Sequence, residues 1–301
     1  MRILITGANG LLGTELTKLC IKKGHEVFSG YPTGTPPPGV PIHLDLTDAA
    51  SVAAAFRQSR PDAVFHCAAM TDVDKCEEDK ELATRVNTEG TKTVASLATG
   101  SGSRLVYVST DYVFSGEKGL YREGDPTGPI NHYGYTKLMG EREVISPGAE
   151  YLIARTSVIY GSCPAMGKVN FALWLVESLR AGKEVTLITD QFVSPTLNTS
   201  LASMLLEACG SRLSGIYHMS GAERVSRYDF GIRLAEAFGF DRGLIRPALM
   251  EQFAGRWKAR RPADSSLDTS KAAGALREKP LVLNQALAEL KKEIDAQCSQ
   301  A

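Results

Sequence analysis

No two of the six cysteines stand in a CxxC or other zinc-like spacing, which removes a metal–thiolate centre and a redox dithiol from consideration. Several sit among apolar neighbours and read as small core residues of a reducing compartment. An excess of either charge is also missing. Lys plus Arg number 34, Asp plus Glu number 34, and the net charge is zero, so nothing marks a nucleic-acid or anionic-membrane partner. The basic residues are scattered, apart from the short patch Lys258, Arg260 and Arg261. No apolar run approaches the ~20 residues of a membrane span. The first strand-like run begins at Arg2, leaving no room for a secretory signal, and a cytoplasmic location is expected. The five histidines are scattered and none pairs with an acid and a nucleophile. The acidic residues show no metal spacing, so no metal is expected. There is neither an internal repeat nor a low-complexity linker. A chain of 301 residues with 43% hydrophobic and 23% charged side chains has room for a full core and two lobes.

What the chain does have is a regular alternation of short apolar runs and amphipathic segments. Residues 2–6 read as a buried parallel strand. They run into Gly7-Ala8-Asn9-Gly10-Leu11-Leu12-Gly13 and then a helical pattern to about residue 23. Glycines at three-residue spacing between strand and helix let the backbone turn tightly and approach a pyrophosphate, which the helix N-terminus favours. Gly7, Asn9, Gly10, Leu11 and Leu12 are therefore candidate cofactor contacts. A second strand over 25–29 ends in Gly30-Tyr31-Pro32, without the Asp or Glu that grips an NAD ribose. No acid repels a 2′-phosphate there and no arginine grips one, which leans mildly toward NADP over NAD. A Pro- and Gly-rich loop over 33–41 precedes a third strand over 42–44. Asp45, with Leu46 beside it, is placed either to contact an adenine amino group or to serve as a turn carboxylate. A fourth strand over 62–66 is followed by the small Ala68 and Ala69, which allow a cofactor to lie close, and then by Thr71.

A helix over 82–98 contains Asn87, a residue mildly unfavourable in mid-helix. A fifth strand over 104–108 delivers Ser109-Thr110-Asp111-Tyr112-Val113-Phe114, and a helix over 131–145 follows. Five strand–helix alternations imply a parallel sheet with helices on both faces, a Rossmann-type doubly wound α/β fold. A sixth strand covers 151–155. The pattern then loosens: a helix over 169–181, a strand over 185–187, a loop over 190–196, a helix over 197–208, a strand over 215–219, and helices over 225–238 and 283–296. The expected division is a dinucleotide-binding domain, 1–155 with about 196–219, and a smaller interleaved C-terminal substrate lobe, 156–195 with 220–301.

Tyr133 and Lys137 stand four residues apart in the helix over 131–145, one turn apart on one face. An ammonium near a phenol favours phenolate and is expected to lower the tyrosine from its ordinary pKa of about 10. That suits a phenol for exchanging a proton with a substrate oxygen. Taken alone, such a pair is common on helix surfaces. Its position after a strand that delivers Thr110, and after a dinucleotide loop, gives it weight.

With Gly7, Gly10 and Gly13, Asn87, the hydroxyl residues after the fifth strand, and the Tyr133/Lys137 pair, the chain resembles the extended short-chain dehydrogenase/reductase family. Within it the chain is most similar to the dTDP-4-dehydrorhamnose reductases. That likeness rests on the run 109–114, Tyr133-Gly134-Tyr135-Thr136-Lys137, Asp190-Gln191 with Pro195-Thr196, and Arg261-Pro262 with Ser266-Leu267-Asp268-Thr269. The resemblance implies NAD(P)H-dependent reduction of the C4 ketone of a nucleotide-linked 6-deoxy-4-keto hexose. Tyr133 is then the proton donor, Lys137 its tuner and a ribose contact, and Thr110 the residue that orients the carbonyl. Thr71, Asp111 and Tyr112 become substrate contacts, and Asn87 a helix kink or water relay to Lys137. Arg261 is either a pyrophosphate contact or an interlobe salt bridge. A homodimer is the common assembly among such relatives. One departure stands out: the tryptophan that commonly packs on the sugar after the sixth strand is replaced by Val158, which offers no flat face. Two other readings follow. One is an NADP-binding regulatory subunit resembling the beta subunit of methionine adenosyltransferase. The other is a sugar-nucleotide epimerase. A dehydratase lacks its base, because Asp111 is followed by Tyr112 where those enzymes carry Glu.

Overall fold

The computed structural model describes residues 1–145, 150–165 and 168–298. Its centre is a seven-stranded, all-parallel sheet. The strands β1 (Arg2–Thr6), β2 (Glu26–Tyr31), β3 (Val40–His43), β4 (Ala63–His66), β5 (Arg104–Thr110) and β6 (Tyr151–Thr156) are joined by a seventh, Gly215–His218. Across the sheet the order is Gly215–His218, β6, β5, β4, β1, β2, β3. Residue Ile5 pairs with Ser29 on one side and Phe65 on the other, Phe65 with Val106, and Val106 with Leu152. The doubly wound α/β fold read from the alternation is the fold that forms.

Both faces of the sheet are covered, which explains runs that are apolar at every position rather than every second one. Ile3, Ile5, Phe65, Val106 and Leu152 face α1 (Leu11–Lys22) and the helix Asn198–Gly210 through Leu16, Leu201 and Leu205. Leu4, Val64, Leu105 and Ile153 point the other way, onto Val52 and Phe56 of α2 (Ala49–Ser59) and Val94 further along. Asp48 caps α2 by accepting from the Ala50 N–H at 2.9 Å. A separate apolar cluster joins Leu173, Leu175, Leu179, Leu187, Phe230, Ile245, Leu283 and Leu287.

The structure departs from the sequence reading in two places. The helix expected over 82–98 is three pieces. A short α3 (Val73–Glu78) and α4 (Lys80–Thr84) lead into a π-helical turn, Arg85–Glu89, and only then into α5 (Gly90–Ser101). Asn87 sits in the wide turn because its side chain is engaged elsewhere. Its Oδ1 accepts from the Met70 N–H at 2.8 Å, and its Nδ2 donates to the Met70 carbonyl at 3.0 Å and to Thr136 Oγ1 at 3.1 Å. The segment expected as a loop over 190–196 holds two short strands. Phe192–Val193 pairs antiparallel with Val225–Ser226, and Thr196–Leu197 pairs parallel with Ile159–Tyr160. That first pairing also delays the next helix to Arg227, with Ser226 Oγ accepting from the Asp229 N–H at 2.9 Å.

Candidate active site

Strand order reverses between β1 and β4, because the chain runs outward from β1 to β3 and then returns to β1's other side. Open α/β sheets bind ligands in the crevice at such a point. Here the crevice is lined by backbone. Gly7 has φ of 66°, and a Cβ there would stand 2.8 Å from the Ala68 Cα; a Cβ on Gly13 would fall on the Gly7 carbonyl oxygen. The loop is held by Ala8 N–H to the Gly30 carbonyl at 3.0 Å and Gly10 N–H to the Gly7 carbonyl at 2.9 Å. No side chain caps α1, whose N-cap is Gly10, so its first amides face the crevice free for an anion. Asn9 Nδ2 donates to the Thr33 carbonyl at 2.9 Å, while its Oδ1 is buried with no partner. Leu12 and Leu46 are buried in the core clusters, so any contact of theirs with a ligand is through the backbone. Ala69 lies half-buried beyond Ala68. Asp45 Oδ1 accepts from both the N–H and the hydroxyl of Thr47 at 2.8 Å, bonds that hold its carboxyl below the usual range. That is the turn-carboxylate alternative.

Helix α6 (His132–Val144) begins where Asn131 caps it: Asn131 Oδ1 accepts from the Gly134 N–H at 2.9 Å. The other end of the same amide donates to the Arg260 carbonyl at 2.9 Å. Gly134 lets α6 press onto the Tyr112 carbonyl, which a Cβ would strike. Tyr133 is half-buried and packs edge-on to Tyr112, ring centroids 5.9 Å apart. Lys137 is buried; its Nζ donates to the Val108 carbonyl at 2.8 Å and stands 4.1 Å from the centre of the Tyr107 ring.

The titration of this pair differs from the sequence expectation. Burial pushes the Tyr133 phenol up from its ordinary value, with Asp111 adding to the rise and the nearby Thr110 hydroxyl partly offsetting it. Burial pulls Lys137 down to about 7, partly opposed by Glu141. Desolvation is the larger effect for both groups, so the expected lowering of the tyrosine is absent.

At the end of β5, Thr110 Oγ1 donates to Asp111 Oδ1 at 3.0 Å and accepts from the Tyr112 N–H at 3.2 Å. Asp111 was expected to touch substrate, yet only 2% of it is exposed. Its other oxygen accepts from Ser157 Oγ at 2.8 Å and Ser265 Oγ at 2.5 Å. Burial raises its carboxyl and these hydroxyl donors oppose the rise. It ties three segments together beneath Tyr112. Thr71 is exposed and does not line the cleft described next.

That cleft, of about 320 Å³, opens beside Tyr112. Phe171, Trp174, Phe253 and Trp257 give it aromatic walls, and Arg227 and Arg261 give it positive charge. Phe253 and Trp257 stack, centroids 6.1 Å apart. Arg227 lies 4.9 Å over Phe171, and Arg261 lies 5.5 Å over Trp257. Arg261 Nη2 also pairs with Asp74 Oδ2 at 2.8 Å, and Asp74 Oδ1 accepts from the Lys258 and Ala259 N–H groups. The salt-bridge reading of Arg261 therefore holds, and the same side chain faces the cleft. Sequence reasoning missed Phe171, Trp174, Arg227, Phe253 and Trp257. Phe171 and Trp174 stand three residues apart and Phe253 and Trp257 four, but no spacing joins one pair to the other or to Arg227; the pairing of Val185–Ile188 with Ile245–Ala248 helps to bring their segments together. Val158, with φ of 39°, is a β-branched residue in the left-handed region, a conformation such residues rarely adopt outside functional sites.

Residues 1–295 match a family model described as RmlD substrate binding domain. The dTDP-4-dehydrorhamnose reductase of Streptomyces griseus is 36% identical over 283 residues, which cover 91% of this chain and 88% of that protein. The methionine adenosyltransferase 2 subunit beta of Xenopus tropicalis is 33% identical over 276 residues, covering 90% of this chain and 81% of that protein. Among solved structures, dTDP-4-dehydrorhamnose reductase from Bacillus anthracis in complex with NADP superposes with a TM-score of 0.86 at 29% identity, covering 97% of this chain and 99% of that one.

Proposed function

The chain belongs to the RmlD substrate binding domain family, and from that premise we propose that it is an NAD(P)H-dependent reductase of the C4 ketone of a nucleotide-linked 6-deoxy-4-keto hexose. The observation that carries this reading is the convergence of Tyr133, Lys137 and Thr110 at the carboxyl end of β5, between a backbone-lined dinucleotide crevice and an aromatic, arginine-bearing cleft. The relatives named for that reaction and the neighbour bound to NADP support it.

The crevice fits a dinucleotide. Gly7 and Gly13 let the turn pack onto Ala68 and onto its own main chain where a Cβ would collide, which sets the uncapped start of α1 toward the crevice, and Asn9 Oδ1 is buried there unpartnered. Gly7, Asn9, Gly10 and the amides of Leu11 and Leu12 would hold the pyrophosphate, with Ala68 and Ala69 beside it. A nicotinamide supplies the hydride when bound. Tyr133 then gives its proton to the ketone oxygen as charge develops there. A phenol held well above its ordinary value is protonated at working pH, the state a donor needs. Thr110 orients the same oxygen when its hydroxyl turns from Asp111. Lys137 binds the ribose. The two arginines and five aromatic rings of the cleft suit a diphosphate and a planar base. Residues 1–155 with 196–219 would carry the cofactor, and 156–195 with 220–301 the nucleotide sugar. Nothing near β2 grips a 2′-phosphate, so NADP is only mildly favoured.

The test is absorbance of reduced nicotinamide when the protein meets NADPH or NADH and a dTDP-4-keto-6-deoxyhexose. Oxidation that disappears in a folded Tyr133→Phe variant supports the reading; no oxidation by the folded wild type overturns it. A second reading is a cofactor-binding regulatory subunit, favoured by the likeness to methionine adenosyltransferase 2 subunit beta and by Val158. It predicts tight NADPH binding without turnover of any keto sugar.

A further inference from the structure

A buried histidine stands between the two halves of the site. His66 ends β4, has no exposed surface, and lies in register with Thr6 on one side and Tyr107 on the other. Both ring nitrogens are engaged. Nδ1 meets Thr6 Oγ1 at 2.7 Å, and Nε2 meets Oγ1 of Thr91, in the first turn of α5, at 3.0 Å. The two threonines are as deeply buried as the ring. The ring also lies 5.4 Å from that of Tyr107, tilted by 31°.

The donors and acceptors on either side fix the direction of these bonds. Thr6 Oγ1 already accepts from the Ala68 N–H at 3.2 Å, so its own proton goes to Nδ1. Nε2 then carries the ring's hydrogen and donates to Thr91, whose hydroxyl donates in turn to the Asn87 carbonyl at 2.7 Å. Were the hydrogen on Nδ1, the buried Thr6 hydroxyl would have no acceptor among the described residues, and Thr91 would have to leave Asn87 to serve Nε2. A second proton on the ring fails for the same reason. One continuous chain results, through Ala68, Thr6, His66, Thr91 and Asn87.

The ends of this chain are the supports of the site's two halves. Ala68 is where the dinucleotide turn rests, since a Cβ on Gly7 would stand 2.8 Å from its Cα. Asn87 lies in the π-helical turn, and its side chain donates to Thr136 Oγ1 of α6 at 3.1 Å. Helix α6 also rests on the Asn87 carbonyl, because a Cβ on Gly140 would stand 2.9 Å from that oxygen. Thr136 in turn donates to the Tyr133 carbonyl at 2.9 Å. A buried histidine with two partners is commonly a satisfied core residue. This one joins the support of the cofactor turn to the support of the helix that bears the proton donor.

We propose that His66, as the Nε2–H tautomer, is a positioning residue for the reduction read above: through Thr6 and Thr91 it sets the spacing between the dinucleotide crevice and Tyr133. The consequence for catalysis rests on the reductase reading; the chain of bonds does not.

Two measurements test it. The first is 15N NMR of cofactor-free protein labelled in its imidazole rings, with His66→Gln assigning the signal. His66 is expected to hold the neutral Nε2–H form between about pH 5 and 8, the range in which an ordinary histidine titrates. An Nδ1–H form, or an imidazolium at neutral pH, overturns the proposal. The second removes the Thr91 hydroxyl. Thr91→Val keeps the shape but strands the Nε2–H, which lowers Tm by itself. Thr91→Ala, which leaves room for a water to accept that hydrogen, is measured beside it. A water passes on the bond but not the spacing, so kcat is expected to fall ~30-fold in both, the scale of a sub-ångström misplacement. KM for NADPH and for the nucleotide sugar should stay within ~2-fold, and Thr91→Ser should restore kcat. A side chain that merely held the fold would lower Tm and leave kcat alone, so a kcat within ~2-fold of wild type in a folded variant overturns the proposal. If the wild type reduces no nucleotide-linked ketone, the reductase reading fails, and the spacing is read in the NADPH complex from the nuclear Overhauser contact between the nicotinamide and the Tyr133 ring. Loss of that contact in Thr91→Ala and its return in Thr91→Ser uphold the role of His66; an unchanged contact overturns it.

Discussion

Two regions of the site are built on opposite principles: a floor at the carboxyl end of the sheet, and a rim formed by the cleft beside Tyr112. The floor is made of Gly7–Gly13, Thr110 and the Tyr133–Lys137 face of α6. Its ligand-facing groups are main-chain amides and side chains that are buried or half-buried. Lys137 is fixed by the Val108 carbonyl, as Asn87 is by Met70. The rim is made of long side chains, Trp174 being 41% exposed, that come from widely separated segments and touch one another by stacking. On the proposed reading, a floor that places a proton donor to a fraction of an ångström gains from rigidity. A rim that must accept one nucleotide sugar and release another gains from area with few fixed bonds.

The contrast predicts a split in kinetic effects, since floor changes strike kcat and rim changes strike KM. Tyr133→Phe is expected to cost ~1,000-fold in kcat, within the range for loss of a general acid, with KM and NADPH binding nearly unchanged. Gly13→Ala drives a Cβ into the Gly7 carbonyl. NADPH binding, read by fluorescence titration, should weaken by ~30-fold, the equivalent of ~2 kcal/mol of overpacking. At the rim, Arg227→Gln should raise KM for the nucleotide sugar by ~10-fold, one charge-assisted hydrogen bond's worth, and leave kcat within ~2-fold. Trp257→Ala should raise KM by only ~3-fold, as expected for one aromatic contact. The comparison fails if Arg227→Gln lowers kcat as steeply as it raises KM, because the rim would then be aligning the reacting atoms.

The same contrast separates what could be read in the sequence from what could not. The glycine loop was legible because its chemistry lies in contiguous residues: three glycines after a strand say nearly everything about the local backbone. Tyr133 and Lys137 were legible as a pair because a helix turn fixes their separation, and the likeness to a known family gave them roles. Their proton affinities were not legible, since desolvation depends on how Tyr107, Val108 and Cys67 close over them. The π-helical turn escaped because its cause, the engagement of Asn87 by Met70 and Thr136, spans up to 49 residues. The burial of Asp111 was not legible for a similar reason: its partners Ser157 and Ser265 lie 46 and 154 residues away. The rim aromatics fall in two short-range pairs, Phe171 with Trp174 and Phe253 with Trp257, and nothing in the sequence joins one pair to the other.

Asn131 gives this arrangement a consequence for engineering. One amide caps the helix that bears Tyr133 with its oxygen and holds the Arg260 main chain with its nitrogen. Whoever transplants the 250–262 segment from a relative to change which sugar is accepted grafts onto that anchor and onto Asp74, which accepts from the Lys258 and Ala259 N–H groups. A graft that keeps the main-chain path at Arg260 should arrive in register with the proton donor. One that lengthens or shortens the chain there would carry the right side chains to the wrong address, and directed evolution of substrate choice should accordingly tolerate substitutions in this segment far better than insertions.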